Sequence, residues 1–548
     1  MVPLSSFLLV ALASAKCFEP TIAHPPPRYN VGDPLLQDAF ESINTALTAA
    51  VAAPEFDRTS FSVEITSSKD TLWSHHHTAR ERNASRPDIP EVNGDALYRI
   101  ASITKTFTVL GILYQHAAGN LSLDATVNTY LEELGDKSNG GIPWKDITLR
   151  SLASQLSGLP RECKMPSGKK QNLFSVCHTE EDMFRQLKKF APLFAPNQES
   201  SYSNVAFELL GLVLSRVTNQ TYETYIDEAI FKPLNMSTST LSKPADSAGV
   251  IPAGPQFWGV DEGIQNPTGG IYSSSSDLSK YLRYILTHYN AITHAINWLH
   301  PVSSSRGLNS FYGMPWEIYQ TDRILEQSKR TVRFVTKSGG LPGYTSIIIT
   351  APEYDLGITI LVAGPNAILS KIMDIVTVKI VQTAERLAIQ QMRNRYAGTY
   401  STSDPEVNST ATLKADYRGL VVTTFVSNGT VVFEAPITKD VTTSPRYAQL
   451  SPTLLYRNEE EQQGEEWRAL IFEERAEGLG SIWDDFCVED WEMSSYAGIP
   501  LNTAVFWDEQ KDGHFETLEL PAFRMNLTRV DQKRESNGKY GQQETMEL

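Results

Sequence analysis

Strand-like alternation occurs at the two ends of one long region and is missing from its middle, and this layout constrains the fold more than any other feature. At the front, 60–67 alternates with Phe61, Val63 and Ile65 on one face. The turn residues Ser67-Ser68-Lys69-Asp70 follow, and Thr71 onward returns as the paired strand. At the back, 332–336, 345–350 and 356–362 are short β-branched runs. Between them lie helical patterns over 102–118, 204–217 and 276–287. A helix over 38–52 precedes the first strand. An amphipathic helix over 367–391, with Ile368, Ile372, Ile375, Val376 and Ile380 on one stripe, closes the region. One sheet must therefore draw strands from both ends while helices are inserted between them. The expected class is α/β, in its α+β form, with an antiparallel sheet because hairpin-type connections dominate.

The flanks read differently. Residues 7–12 (FLLVAL) form a short apolar core, and Ala13-Ser14-Ala15 supplies a small-residue cleavage site. From Tyr396 onward, short alternating runs at 420–426 and 431–434 are separated by Gly, Asn and Pro turns. The expected organisation is an export signal over 1–15, an extended Pro-rich segment over 16–37, a main domain over 38–393 and a smaller β-rich domain over 394–548. The 7–12 run is too short to span a bilayer and no other stretch approaches about 20 uninterrupted apolar residues, so no membrane-spanning helix is expected. With 48 Lys and Arg against 64 Asp and Glu, the formal charge is -16. An acidic surface of this kind repels nucleic acid and anionic membranes. The oligomeric state is left open.

Two further patterns agree with export. Asn-x-Ser/Thr acceptors occur at Asn83, Asn120, Asn219, Asn235, Asn408, Asn428 and Asn526. There are four cysteines, an even number. Cys163 and Cys177 flank a polar stretch, and a bridge there would staple a surface loop. Cys17 and Cys487 would pair by elimination, or the cysteines stay as buried thiols.

Three short clusters carry chemistry. Ser102-Ile103-Thr104-Lys105 opens an apolar helix, which sets hydroxyl and amine one turn apart on one face. A serine hydroxyl needs a neighbour to remove its proton, and a buried, uncharged Lys105 can do so. Tyr202-Ser203-Asn204 precedes a second helix. A phenol between two ammonium groups can lose its proton and shuttle it. The Asn amide can orient a carbonyl or the lysine, although helix capping explains Ser203 or Asn204 equally well. Lys337-Ser338-Gly339-Gly340 ends a β-branched run. An edge strand ending in Gly lets substrate approach its backbone, and the lysine attracts a carboxylate or polarises the tyrosine. His75-His76-His77 has no acidic or Cys partner in metal-ligand spacing, so it reads as a surface run and no metal is expected.

The order S-x-x-K, then Y-x-N, then K-[ST]-G resembles the penicillin-recognising serine enzymes, nearest to class C β-lactamases, DD-peptidases and related carboxylesterases. The segments ITLRSLASQLSGLPR at 147–161, SYSNVAFELLGL at 201–212, Pro233-Leu234-Asn235-Met236 and PTGGIYSSSSDL at 267–278 are similar to theirs as well. The β-rich portion from Tyr396 resembles the appendage of secreted fungal members. The resemblance implies a β-lactamase/transpeptidase-like fold with a helical subdomain. It also implies that Ser102 attacks a carbonyl and becomes acylated, with Lys105 and Tyr202 transferring the proton. Asn204 would then position substrate, and Lys337 would support the Tyr202 charge or hold an anionic substrate group. Lys337, Ser338, Gly339 and Gly340 would line the acyl site, with the oxyanion between the backbone N–H groups of Ser102 and Gly340. No cofactor is implied. The expected substrate is a small ester, amide or acyl donor. Two alternatives stand beside hydrolysis. One is acyl transfer, or the release or cyclisation of a natural product, on the same acyl-enzyme. The other is a binding protein that kept the fold without catalysis.

Overall fold

The structure is a computed structural model and describes residues 22–135, 141–163, 177–293, 298–365, 367–404, 406–432, 446–474, 486–487 and 495–530. The expected export signal and Cys17 lie outside these residues.

The chain divides into two compact units, one running from Pro26 to Glu385 and the other combining the residues up to Pro25 with those from Arg386 onward. The division falls inside the helix Ile368–Arg395, short of the expected limit at 393. The first helix, Pro34–Ala50, also begins inside the segment expected to be extended. Its signal was present: Asp33 accepts from Leu35 N at 2.9 Å, and Pro34 fills the first helical position, where its missing N–H costs nothing.

The larger unit is built on an eight-stranded antiparallel sheet. Strands β1 (Ser60–Thr66) and β2 (Thr71–His77) form the front hairpin. Two short strands, β3 (Tyr98–Arg99) and β4 (Tyr272–Ser273), pair separately. The back of the region supplies β5 (Ser303–Ser304), β6 (Ser310–Tyr312), β7 (Glu317–Thr321), β8 (Val332–Leu341), β9 (Tyr344–Ala351) and β10 (Leu356–Ala363). The order is β2-β1-β10-β9-β8-β7-β6-β5. The front hairpin thus joins the back strands through β1 and β10, with Val63 opposite Ile360. Every residue of β1 and β10 is buried, because helices cover them. One of these is Ser275–Thr293, whose Arg283 donates to the hydroxyls of Thr66 (3.0 Å) and Thr71 (2.9 Å). On Ile368–Arg395, the predicted stripe residues Ile368, Ile372, Val376 and Ile380 are fully buried, while Ile375 is half-buried.

Two expectations are corrected here. The Lys337–Gly340 segment belongs to β8, an inner strand rather than an edge. Its pairing with β7 nevertheless runs only from Val332 to Thr336, so Lys337 to Leu341 pair with β9 alone. The histidine run is half-buried within β2 rather than a surface tract. His75 bonds Asn44 (3.0 Å), His76 bonds Ser62 (3.1 Å), and Phe61 stacks on His75 and His77. No cluster that could hold a metal occurs among the described residues. None of their helices is long and apolar enough to cross a membrane.

The smaller unit is a closed antiparallel barrel. Its strands are β11 (Gly398–Ser401), β12 (Thr410–Asp416), β13 (Gly419–Ser427), β14 (Thr430–Val431), β15 (Arg446–Asn458) and β16 (Gln463–Glu473). A separate hairpin, β17 (Ser495–Tyr496) and β18 (Ile499–Pro500), is followed by β19 (Thr503–Glu509), β20 (Phe515–Leu520) and β21 (Met525–Arg529). The order β12-β11-β21-β20-β19-β16-β15-β13 returns to its start because β12 also pairs β13. The interior is filled rather than hollow. The Tyr396 ring lies 4.8 Å from Trp467, 5.0 Å from Phe506 and 5.2 Å from Phe515, and its hydroxyl donates to Glu465 at 2.6 Å. Such aromatic pairs contribute about 0.5–1.5 kcal/mol each beyond burial.

Candidate active site

Strand β3 delivers the chain into a tight turn. Ala101 takes a φ of 48°, a left-handed conformation that costs a non-glycine residue on the order of 1–3 kcal/mol. The surroundings hold it there. Ser346 donates to the Ile100 carbonyl at 2.8 Å, Ile100 N donates to the Ile271 carbonyl at 3.2 Å, and Ile271 N donates to the Thr104 hydroxyl at 3.3 Å. A 3-10 turn, Ala101–Ile103, then runs into the helix Thr104–Ala117. Ser102 remains partly exposed at the head of this helix.

Lys105 follows one turn later and is fully buried. Its Nζ donates to Ser102 Oγ at 3.0 Å and to the Thr268 carbonyl at 2.8 Å. Burial, joined by the Lys337 charge and opposed by Tyr202, holds its pKa below the ordinary lysine value.

Tyr202 arrives from the other side. Ser203 caps the helix Val205–Thr218 by accepting from Ala206 N at 3.1 Å. Its own N–H donates to Gln155 at 2.7 Å and its hydroxyl to the Pro160 carbonyl at 2.8 Å. The capping role therefore falls to Ser203, which frees the residues on either side. Tyr202 Oη donates to Ser102 Oγ at 2.8 Å. Around its ring lie Lys105 Nζ at 5.2 Å, Lys337 Nζ at 5.3 Å and Arg161 Cζ at 4.7 Å from the centroid. Burial alone would raise the phenol's pKa. The charges of Lys105 and Lys337 and the Ser102 hydrogen bond outweigh it and bring the value down to about 8.

Asn204 gives its side-chain N–H to Glu162 at 2.7 Å, and its Oδ1 has no partner among the described residues. Lys337, 1% exposed, donates to Glu317 Oε1 at 2.6 Å and to the Ser338 carbonyl at 2.8 Å. Ser338 donates to Glu317 Oε2 through its hydroxyl at 2.6 Å and its N–H at 3.0 Å. A Cβ on Gly339 would stand 2.2 Å from the Ile100 carbonyl oxygen and 3.1 Å from Ser102 N, so only glycine lets the strand lie against the turn that carries Ser102. The space over Gly340 is open within 4 Å. A cavity of about 470 Å³ lies at the turn between β8 and β9, lined by residues 340–345 with Gly364 and Pro365, and Ser102, Lys105, Tyr202 and Lys337 are not part of its wall.

The structure thus brings Ser102, Lys105, Tyr202 and Lys337 together, with Asn204 and Gly339 beside them. Sequence reasoning missed three carboxylates. Glu317 sits twenty residues before Lys337 in sequence, and only the register that sets it opposite Thr336 places it at the site. Glu162 reaches Asn204 from the residue before Cys163, which is bridged to Cys177 with a Cα separation of 5.5 Å. Glu208, one turn after Asn204, is buried, and burial pushes its pKa up to about 7. Arg99 was also passed over. It is fully buried and donates to the carbonyls of Phe257 (3.0 Å) and Val260 (2.8 Å) and to Glu262 (3.0 Å). Elsewhere, Asn120, Asn219, Asn235, Asn408, Asn428 and Asn526 are exposed, whereas Asn83 is half-buried. Cys487 is disulfide-bonded.

This architecture is that of the serine β-lactamase-like fold. A class C beta-lactamase crystallised in complex with cefoxitin superposes with a TM-score of 0.50 at 18% identity, covering 63% of this chain and 99% of that one. A family model described as Beta-lactamase matches residues 49–377, and one described as Beta-lactamase-like-like, C-terminal domain matches 388–531. The chain therefore belongs to the beta-lactamase family. Similar proteins run along nearly its whole length. "Probable hydrolase M10" of Phoma sp. is 28% identical, covering 90% of this chain and 88% of its own. "Probable hydrolase clz13" of Cochliobolus lunatus is 27% identical, covering 91% and 90%. "Beta-lactamase-like protein" of Arthroderma benhamiae is 29% identical, covering 90% and 92%.

Proposed function

We propose that the protein is a serine hydrolase that cleaves an ester or amide through an acyl-Ser102 intermediate. The observation carrying this reading is that one hydroxyl, Ser102 Oγ, lies within hydrogen-bond reach of both Lys105 Nζ (3.0 Å) and Tyr202 Oη (2.8 Å). Tyr202 as phenolate takes the Ser102 proton while Oγ bonds to the carbonyl carbon. The negative charge moves to the carbonyl oxygen, between the N–H groups of Ser102 and Gly340. Collapse breaks the bond to the leaving alcohol or amine, which receives that proton from Tyr202. Water then repeats the sequence on the acyl-serine, yielding a carboxylic acid and restoring the hydroxyl. Lys105 keeps the phenolate stable and passes protons along the same hydrogen bonds. Asn204 orients the acyl group, and Lys337 sustains the phenolate from the far side of the ring.

We further propose that the chain enters the secretory pathway. The Cys163–Cys177 bridge and the exposed acceptor asparagines support this.

A fluorophosphonate probe labels an activated serine covalently. Labelling of the intact chain is expected at Ser102, and Ser102→Ala should abolish it together with turnover of aryl esters. Labelling that survives the substitution would show that another residue is the nucleophile.

A further inference from the structure

We infer that Glu317 occupies the place a substrate carboxylate would take, so that the site accepts acyl donors without negative charge and rejects anionic ones. The inference rests on the reading of Ser102 as nucleophile for the reaction, but not for the charge selection itself.

A lysine followed by a serine on a strand beside an acyl site offers an anion two things, an ammonium and a hydroxyl. Here both are engaged by one carboxylate of the chain. Oε1 of Glu317 meets Lys337 Nζ at 2.6 Å, and Oε2 takes the Ser338 hydroxyl at 2.6 Å and the Ser338 N–H at 3.0 Å. Glu317 is the first residue of β7, held opposite Thr336 by the sheet register. It is therefore a tethered anion with no association entropy to lose, and a dissolved carboxylate competes poorly with it. The acid is also the outer member of the pair: its side chain is 28% exposed against 1% for Lys337.

The other cations around Tyr202 are likewise matched. Arg161 faces Glu162 at 3.5 Å, and Glu162 also takes the Asn204 amide. Lys105 is sealed from solvent and spends its donors on Ser102 and Thr268. An incoming carboxylate thus finds Lys105 and Lys337 already engaged, and beside the exposed Arg161, the remaining cation at the ring, it meets the carboxylate of Glu162 as well as that of Glu317. Like charges brought together in a partly dry cleft discriminate strongly against a ligand. The formal charge of -16 adds long-range repulsion. An uncharged ester, lactone or amide meets neither penalty.

Two aryl esters of similar length separate charge from size: p-nitrophenyl butyrate, which is neutral, and mono-p-nitrophenyl glutarate, which ends in a carboxylate. For the full chain, kcat/KM should favour the butyrate at least about tenfold. Glu317→Gln should shrink that preference about tenfold or reverse it, and Glu317→Asp should keep it. Binding of free glutarate, followed by calorimetry, needs no turnover; it should appear with Glu317→Gln and be absent from the parent. Equal use of both esters by the parent chain overturns the inference, and that measurement requires no variant. So does a Glu317→Gln protein with unchanged preference and no glutarate binding. If neither ester acylates Ser102 while Glu317→Gln binds glutarate, the nucleophile assignment falls and the charge selection stands.

Discussion

At the scale of single residues, the decisive number is the phenol's pKa. A value of about 8 leaves about a tenth of Tyr202 as phenolate at pH 7, enough for a base but still titrating in the working range. In the proposed mechanism the basic form is the active one, so kcat/KM should climb about tenfold per pH unit below that value and level off above it. Tyr202→Phe should lower kcat by about 10²–10⁴ and remove this limb from the profile. A parent profile that is flat from about pH 6 to 8 would take Tyr202 out of the base role. Gly339 makes a second test. An alanine there places Cβ 2.2 Å from the Ile100 oxygen, so β8 must retreat from the Ser102 turn. A shift of about 1 Å in such a site costs about 10²-fold, and kcat/KM of Gly339→Ala should drop by that order while circular dichroism stays unchanged. Activity equal to the parent's would mean that strand and turn need not touch.

At the scale of elements, the turn that carries Ser102 depends on what holds the strand leading into it. Arg99 leaves β3 as a fully buried cation and ties the loop at 257–262 to the strand through two carbonyls and Glu262. Removing one member of a buried ion pair leaves the other uncompensated, at about 3–5 kcal/mol. Arg99→Ala should therefore lower the unfolding free energy by that amount in a denaturant titration, and a loss under about 1 kcal/mol would show that Glu262 finds another partner or solvent. This brace was illegible in the sequence. In Leu97-Tyr98-Arg99-Ile100-Ala101 the arginine stands as a lone polar residue in an apolar run, and nothing local marks it as buried. The helix starting at Pro34 was legible in principle from Asp33 and Pro34, yet the preceding prolines masked it. Elements with a long, regular period were located well. β1, β9, β10 and the helices after Ser102 and Asn204 lie within a few residues of expectation, because period and capping are local properties.

At the scale of the whole molecule, what a sequence hides is register. The three motifs that meet at Ser102 could be found one by one because each is short and chemically distinctive. Glu317 could not. In Trp316-Glu317-Ile318-Tyr319 it is an ordinary outward residue of an alternating strand, and only the pairing of β7 with β8 turns it toward Lys337. The same holds for the small unit: alternation announces strands, but the pairing of β12 with β13 is a long-range fact. That closure has its own consequence. In an open sheet, losing the outermost strand shortens the ladder and leaves one raw margin where one already existed. In a ring, every member is equivalent in this respect, and taking out any one, such as Met525–Arg529, creates two raw margins at once. Among the described residues the ring of the smaller unit therefore has no edge strand of its own, only the two-residue β14 attached to β13, and the ring should hold or fail as a unit.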